Sequence, residues 1–291
     1  MESFVVFLVI ISAVLHASYS FNLKRIINMG GDSVLLFWLS MISGTFLYSI
    51  ILFLFIGIKG LTINGIIFSA IFGFFVALYI FFISKSYEHG EFSLVYPLSR
   101  ITPLFTLLFG VFYLKEELTF IAYIGIILII LGVYGIHLKD FRLRNILKPI
   151  LSLRNKGSIL AVLAAFISAF YGLFSKLGVT EIGPYTFIYI GYIFSILFYI
   201  PLLYFKKQDI ADQIKRFKFQ IIKIGVLDIS NYLLIAVALS LSKLSSVFAL
   251  RQMSILFGVL FGIFYLKEKR EWTKIISSII MIIGIILVSI Y

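Results

Sequence analysis

Three ionisable side chains lie inside long apolar stretches of this 291-residue chain: Asp228, Arg100 and Arg251. An ionisable group at membrane depth costs about 2.5–3.5 kcal/mol on insertion scales, so a chain that keeps one there is expected to use it. Asp228 is the only one of the 13 acidic residues that lies well inside an apolar run, I-I-K-I-G-V-L-D-I-S-N-Y. A carboxylate at such a position predicts a group that loads and releases a proton.

The surroundings of Asp228 leave two interpretations open. On a helix, Asn231 at i+3 and Tyr232 at i+4 share its face, which must be either wet or buried among other helices. That face is typical of a proton or substrate pathway. The alternative is a structural aspartate that pairs with Lys223 or Arg251.

Arg100 and Arg251 fall at nearly equivalent positions of two similar segments, each about a third of the way into a predicted helix. Guanidinium groups there predict recognition of a substrate carboxylate or phosphate by paired hydrogen bonds. The alternative is an anchor at the membrane interface or a pair with Asp228. Pro97 and Pro103 remove backbone donors around Arg100 and leave carbonyl groups that must be satisfied inside the protein.

Other polar residues could line the same interior. The complete predicted substrate and ion pathway consists of Asp228, Arg100, Arg251, Asn231, Tyr19, Tyr79, Tyr96, Tyr171 and His16. His16 could relay protons, although a lone histidine among small neighbours is also typical of a packed position. Glu116 and Glu268 stand next to lysines at predicted helix ends, and we interpret them as capping charges.

Composition identifies a membrane protein, because 62% of the residues are apolar and only 13% are charged, against about a quarter charged in soluble domains. The absence of cysteine excludes disulfides and thiolate sites. No hydrolase or nucleotide-binding motif occurs, so we expect no enzyme activity, catalytic residue, cofactor or metal site. Although the net charge is +12, the basic residues lie in short loops and predict membrane topology rather than a nucleic-acid partner.

Ten apolar runs are long enough to predict transmembrane helices. They are residues 4–23, 34–57, 64–84, 92–114, 119–138, 158–177, 185–205, 220–241, 246–266 and 272–290. The first lacks the basic start and small-residue cleavage site of a signal peptide, so we expect it to be a genuine span. The sequence therefore predicts an all-α membrane protein with ten transmembrane helices.

The chain also contains one unit twice. Residues 96–117 and 248–269 match at a constant offset of 152, and the same offset pairs Lys24 with Lys176 and Gly73 with Gly225. We expect five-helix repeats at 1–138 and 157–291, joined by a basic linker at 139–156. Because five is odd, the repeats must be inverted in the membrane, as in many secondary transporters.

Loop charges predict the orientation. The loops that follow the first, third, fifth, seventh and ninth predicted helices hold 19 of the lysines and arginines. The loops that follow the second, fourth, sixth and eighth predicted helices hold four, Lys59, Lys115, Lys176 and Lys243. The positive-inside rule then places both termini outside.

Several segments resemble the EamA branch of the drug/metabolite transporter superfamily over essentially the whole chain. E-F-S-L-V-Y-P-L-S-R at 91–100 resembles the start of that family's fourth helix, and F-Y-L-K-E at 112–116 and 264–268 is similar to its L-L-G-E. H-A-S-Y at 16–19 with Lys24 resembles its first helix. The resemblance implies a ten-helix basket with a central cavity and a proton- or gradient-linked carrier of small metabolites. Many such relatives have both termini in the cytoplasm, contrary to the loop charges.

We therefore predict a multi-pass secondary transporter of the plasma (inner) membrane that exports a small polar or amphipathic metabolite and is coupled to protons through Asp228. Its partners would be a small-molecule substrate and the lipid bilayer. One alternative is a flippase-like carrier of a lipid-linked sugar or phosphate, and another is a non-transporting membrane assembly protein. Oligomeric state is left open, with a monomer as one option.

Overall fold

The structure is a computed structural model. It describes residues 3–89, 98–136, 155–203, 210–257 and 272–290, together with Leu138, Arg142, Asn145 and Leu147. Most of the predicted linker 139–156 and the residues Tyr96, Gly262 and Glu268 lie outside this described part. The boundaries of the two units therefore stay a prediction.

The described residues form ten principal helices. In the first half they are α1 Ser3–Asn28, α2 Ser33–Ile51, α3 Ile63–His89, α4 Thr102–Leu108 and α5 Phe120–Ile136. In the second half they are α6 Lys156–Ile182, α7 Pro184–Leu203, α8 Ile210–Leu241, α9 Leu244–Leu250 and α10 Trp272–Ile290. Single π-helical turns, Leu52–Ile56 and Phe109–Tyr113, extend α2 and α4.

Length and composition make these helices membrane helices. Five contain stretches long and apolar enough to cross a bilayer: Val34–Ile56, Ile63–Ile83, Lys156–Ile182, Pro184–Pro201 and Ile210–Leu241. Five shorter apolar helices complete the set: Ser3–Tyr19, Thr102–Tyr113, Phe120–Gly135, Leu244–Phe257 and Ile275–Val288. The predicted all-α, ten-helix class is confirmed.

Several helices continue beyond the apolar runs that predicted them. Helix α1 reaches Asn28 and α6 reaches Ile182. Lys24, which follows the run 4–23 and was counted with the loops, therefore lies inside a helix, because lysine is a good helix former. Lys176, also counted with the loops although it falls inside the run 158–177, lies inside α6. Helix α8 begins at Ile210 with a basic, amphipathic segment, and non-helical backbone at Phe217 separates this segment from the apolar part.

The two halves pack on each other in reciprocal pairs. Helix α3 packs on α6, and its equivalent α8 packs on α1. Likewise α2 packs on α8, and α7 packs on α3, while α5 and α10 pack on each other. If each helix is replaced by its equivalent in the other half, every one of these helix pairs becomes a pair that is also in contact. Two halves related by a two-fold axis have this property. With five helices in each half, this arrangement is the inverted repeat.

Small residues permit the closest of these contacts, as expected for membrane helices. Gly225 of α8 lies so close to Ser43 and Gly44 of α2 that a Cβ atom would overlap them. Gly73 of α3 lies equally close to Ser195 of α7. These pairs are related by the 152-residue offset. Gly73 and Gly225 are therefore the positions of closest helix approach in both of these pairs.

The fourth helix of each half is interrupted near its arginine. Arg251 and Gln252 form a turn after α9, and the chain resumes as helix at 253–257. Arg100 lies in a turn just before α4. Discontinuous membrane helices place backbone and side-chain polar groups inside a bundle, and transporters use them to build binding sites. All seven residues of α9 are buried, whereas α4 exposes Leu104 and Leu108, so α9 lies deeper in the bundle than α4.

Candidate substrate and ion site

The carboxyl group of Asp228 points into the helix bundle. Its side chain is 2% exposed, and Oδ2 accepts a hydrogen bond of 3.0 Å from Tyr192 Oη of α7. Oδ1 is buried and has no hydrogen-bond partner. Lys223, one of the suggested structural partners, is exposed to the outside of the bundle. Asp228 therefore keeps one acceptor oxygen available inside the protein.

Asn231 lies one helical turn further along α8. Its side chain is completely buried, and Oδ1 accepts a hydrogen bond of 2.7 Å from Ser12 Oγ of α1. The amide nitrogen Nδ2 is buried without a partner. Buried polar atoms are almost always hydrogen bonded, so an unpartnered donor on the same helix face as an unpartnered acceptor points to a ligand that would satisfy both.

Arg251 faces the same interior from the turn after α9. It is 6% exposed, and its guanidinium carbon lies 4.7 Å from the centroid of the Tyr232 ring and 5.7 Å from that of Phe248. These distances are those of cation–π contacts. Among the described residues, no ion pair joins Arg251 to Asp228, so the contacts with Tyr232 and Phe248 position this cation.

Tyrosines surround the two charged groups. The Tyr232 ring lies 5.8 Å from Tyr192 and 6.4 Å from Tyr171, and the Tyr171 ring lies 5.9 Å from Tyr79. We call Tyr79, Tyr171, Tyr192 and Tyr232 the tyrosine cluster. Its rings form an apolar wall that still carries hydroxyl groups, an environment suited to an amphipathic solute.

The first helix completes the interior. The His16 and Tyr19 rings are 5.1 Å apart in an edge-to-face arrangement. Tyr19 is within electrostatic range of Asp228, Tyr79 and Arg251, and Arg100 also acts on it. His16 is within range of both arginines, and its Nδ1 atom is buried without a hydrogen-bond partner. The structure thus brings together all the predicted pathway residues except Tyr96, which lies outside the described part.

A sequence profile of the EamA-like transporter family matches residues 3–138 and 155–290. The chain belongs to this family. As an EamA protein it is a multi-pass membrane transporter of the drug/metabolite transporter superfamily. The resemblance inferred from its motifs is confirmed.

Two similar proteins give further context for this EamA transporter. An uncharacterized transporter, YxxF, from Bacillus subtilis strain 168 is 30% identical over 136 residues, which cover 46% of this chain and 41% of that relative. A solved crystal structure superposes with a TM-score of 0.76 over 100% of this chain and 98% of that chain. Its identity is 12%, so this likeness shows the fold alone.

Some contacts of the transporter's interior were absent from the predicted pathway. Tyr192 and Ser12 hydrogen bond to Asp228 and Asn231 from other helices. Nothing local marks Tyr192 among 17 tyrosines. Tyr232 did carry a signal, since it is four residues after Asp228 on the same helix face.

A groove of about 150 Å³ runs along the outside of the transporter between α2 and α8. Val226, Ile229, Ser230 and Leu233 of α8 line it. Val226, Ser230 and Leu233 lie on the helix face opposite Asp228, because each is rotated from it by about 140–200° around the helix axis. The groove therefore does not lead to the interior polar groups.

Proposed function

We propose that this EamA transporter exports a small polar or amphipathic metabolite across the plasma (inner) membrane in exchange for protons. The observation that carries the proposal is the buried, unpartnered Oδ1 atom of Asp228, in an interior that also holds Arg251. A free acceptor oxygen away from water can take a proton or a donor group of a solute, but only one at a time. Competition between the two is the basis of exchange.

The position of Arg251 supports exchange of substrate against protons rather than symport, in which substrate and protons move in the same direction. In symport, a substrate anion would displace Asp228 from a guanidinium group. Arg251 instead contacts the rings of Tyr232 and Phe248. Asp228 is then free to alternate between a proton and a cationic or donor group, while Arg100 and Arg251 bind acceptor groups of the same solute.

The convergence of polar groups supports transport over the alternative functions. A non-transporting assembly protein would be expected to scatter its polar residues, whereas direct contacts through Tyr192 and Tyr232 connect Asp228 to Arg251. A lipid-linked carrier would need a lateral path, and the outer groove faces away from Asp228. Asp228 is the only acidic residue buried in the described part, which leaves no carboxylate pair for hydrolysis, so we infer transport rather than catalysis.

The loop charges support an orientation with both termini outside. A reporter fused after residue 291 should therefore report the outer side of the membrane. A cytoplasmic signal would show that the common orientation of the family overrides the charge distribution.

The substitution Asp228→Asn tests the proposed coupling. The amide keeps the shape of the side chain but cannot exchange a proton, so the pH dependence of transport should be lost. Proteoliposomes with an imposed pH gradient, screened with mixtures of small metabolites, would show gradient-driven transport by the wild type and at least about tenfold less by the variant. Thermal stability between about pH 5 and pH 9 should also become less pH-dependent.

Asp212→Asn is the matched control, because this carboxylate is 49% exposed and forms an i,i+4 pair with Arg216 on the same helix. Such a pair contributes little, so the control should retain the wild-type pH profile. An Asp228→Asn variant that transports with an unchanged pH profile would make Asp228 a structural residue and refute the exchange mechanism.

A further inference from the structure

The turn between α8 and α9 is held from two sides. Helix α8 carries Asp228, helix α9 leads to Arg251, and Ser242 and Lys243 join them. This turn lies on the same side of the membrane as the 114–119 loop, because α4 and α8 run in the same direction. Whatever fixes the turn also fixes the relative position of the two charged groups below it.

Glu116 of the first half binds the start of α9. Its Oε1 atom accepts a hydrogen bond of 2.5 Å from the backbone N–H of Leu244, and Oε2 accepts one of 3.2 Å from that of Ser245. The Ser245 hydroxyl group donates to the same oxygen. Lys115, in the left-handed conformation at φ 53°, reverses the chain before Glu116. A carboxylate from one repeat thus caps a helix of the other.

Lys176 of α6 binds the end of α8. Its Nζ atom donates hydrogen bonds of 2.6 Å to the Leu239 carbonyl and 2.8 Å to the Ser242 carbonyl. An ammonium group at a helix C-terminus and a carboxylate at the next N-terminus both complement the helix dipoles. Lys243 adds a hydrogen bond to the backbone carbonyl of Glu117. We call Glu116, Lys176, Lys243 and Ser245 the turn cluster.

The helical hydrogen-bond ladder is broken at the other end of α9. The backbone N–H of Gln252 donates to Ala249, three residues back, rather than to Phe248. The Phe248 carbonyl accepts instead from the Gln252 side-chain amide, at 3.3 Å. The regular helix ladder is therefore interrupted after Leu250, and the helical segment Leu244–Leu250 lies between this break and the turn cluster.

We propose that Leu244–Leu250 is the gate of the interior on this side of the membrane and that Glu116 is the residue that keeps it closed. The proposal rests on the transport function given above. Release of the Glu116 hydrogen bonds lets the segment pivot about Arg251 and Gln252, and Arg251 then changes its contacts with the Tyr232 and Phe248 rings. Opening of the pathway and rearrangement of the binding site become one movement.

Labelling of a single cysteine tests the gate without any substrate. The chain contains no cysteine, so Ser246→Cys, a near-isosteric change at a 2% exposed position of α9, provides one reporter. The probe is a membrane-impermeant maleimide applied to proteoliposomes in each orientation. Glu116→Gln should increase the labelling rate from the side of the turn cluster about tenfold, a ratio that corresponds to about 1.4 kcal/mol.

Lys115→Gln is the matched control, because it changes an exposed charge in the same loop and leaves the Glu116 contacts in place. Its labelling rate should equal that of the Ser246→Cys parent protein. Ser245→Ala removes only one of the three hydrogen bonds, so it should give an intermediate rate and replaces Glu116→Gln if that variant does not fold. If the folded Glu116→Gln variant is labelled at the same rate as the Ser246→Cys parent, the gate proposal is wrong. If Glu116→Gln does not fold, the same comparison is made with Ser245→Ala. Because labelling needs neither substrate nor Asp228, failure of the exchange mechanism would leave this result unaffected.

Discussion

The two repeats share a packing scaffold but differ in the residues that could do chemistry. Gly73 packs on Ser195 in one half as Gly225 packs on Ser43 in the other. Between α5 and α10, Gly125 meets Gly284, and Gly132 meets Ser277 by the same 152-residue relation. The close contacts that define the architecture are thus present twice.

Several of the interior polar groups have no equivalent of the same type in the other half. Positions related by the offset are Asp228 and Val76, Asn231 and Tyr79, Tyr192 and Ser40, and Arg251 and Ser99. A duplicated scaffold needs equivalent small residues, because helix backbones must approach equally closely on both sides of the two-fold axis. A solute is not symmetric, so its binding groups need not be repeated. The second repeat therefore carries the proposed proton-binding group, Asp228, together with Asn231 and Arg251.

The largest expected effect follows from the shared scaffold. Gly225→Val would force a side chain into the backbone of α2, and Gly73→Val would do the same in α7. Each should destabilise the protein by about 1–3 kcal/mol or more. Thermal unfolding and the yield of monodisperse protein in detergent would measure the loss, and the two variants should suffer to a similar extent.

Val226→Ile is the control for the glycine variants. Val226 is the neighbour of Gly225 but is 41% exposed on the outer surface of α8, where an added methylene group meets no backbone. It should behave like the wild type. A well-folded Gly73→Val beside an unfolded Gly225→Val would show that the two halves are not packed equivalently.

Sequence reasoning predicted the scaffold because its determinants are local or periodic. Ten apolar runs predict ten helices, and the constant offset predicts the repeat. Helix ends were less well predicted, as after residues 23 and 177, because hydropathy decreases before the helical backbone ends. A helix continues for another turn or two where its residues favour helix and reach polar surroundings.

The candidate site was predicted only as far as a single side chain can indicate it. Asp228 and Arg251 are conspicuous because a charge is rare in an apolar run. Tyr192 and Ser12 become identifiable only when α7 and α1 are packed against α8, since nothing in their own segments distinguishes them. Glu116 was correctly interpreted as a capping charge, but its target, α9, is more than 120 residues away.

The smallest expected effect compares two tyrosines on one face of α7, and it separates the asymmetric site from its scaffold. Tyr192 donates to Asp228, whereas Tyr199 Oη is completely buried and has no hydrogen-bond partner among the described residues. Tyr192→Phe should lower the free energy of unfolding by about 1 kcal/mol, the usual net contribution of a hydrogen bond. The loss should not be larger, because the Asp228 carboxyl group can bind a proton instead of remaining an anion without a partner. It should also move the midpoint of the pH profile of transport.

Tyr199→Phe should do neither, since it removes a buried hydroxyl group that satisfies nothing, and a slight gain in melting temperature is expected. Thermal unfolding of both variants at several pH values, beside Asp228→Asn and the double variant Tyr192→Phe/Asp228→Asn, would measure the coupling between the two groups. If the two tyrosine variants differed in stability but had the same pH profile, Tyr192 would only pack against α8. A pH response that Tyr192→Phe alters and Asp228→Asn removes would instead place the hydroxyl group in the proton-binding unit of the second repeat, at the position where the first repeat has only Ser40.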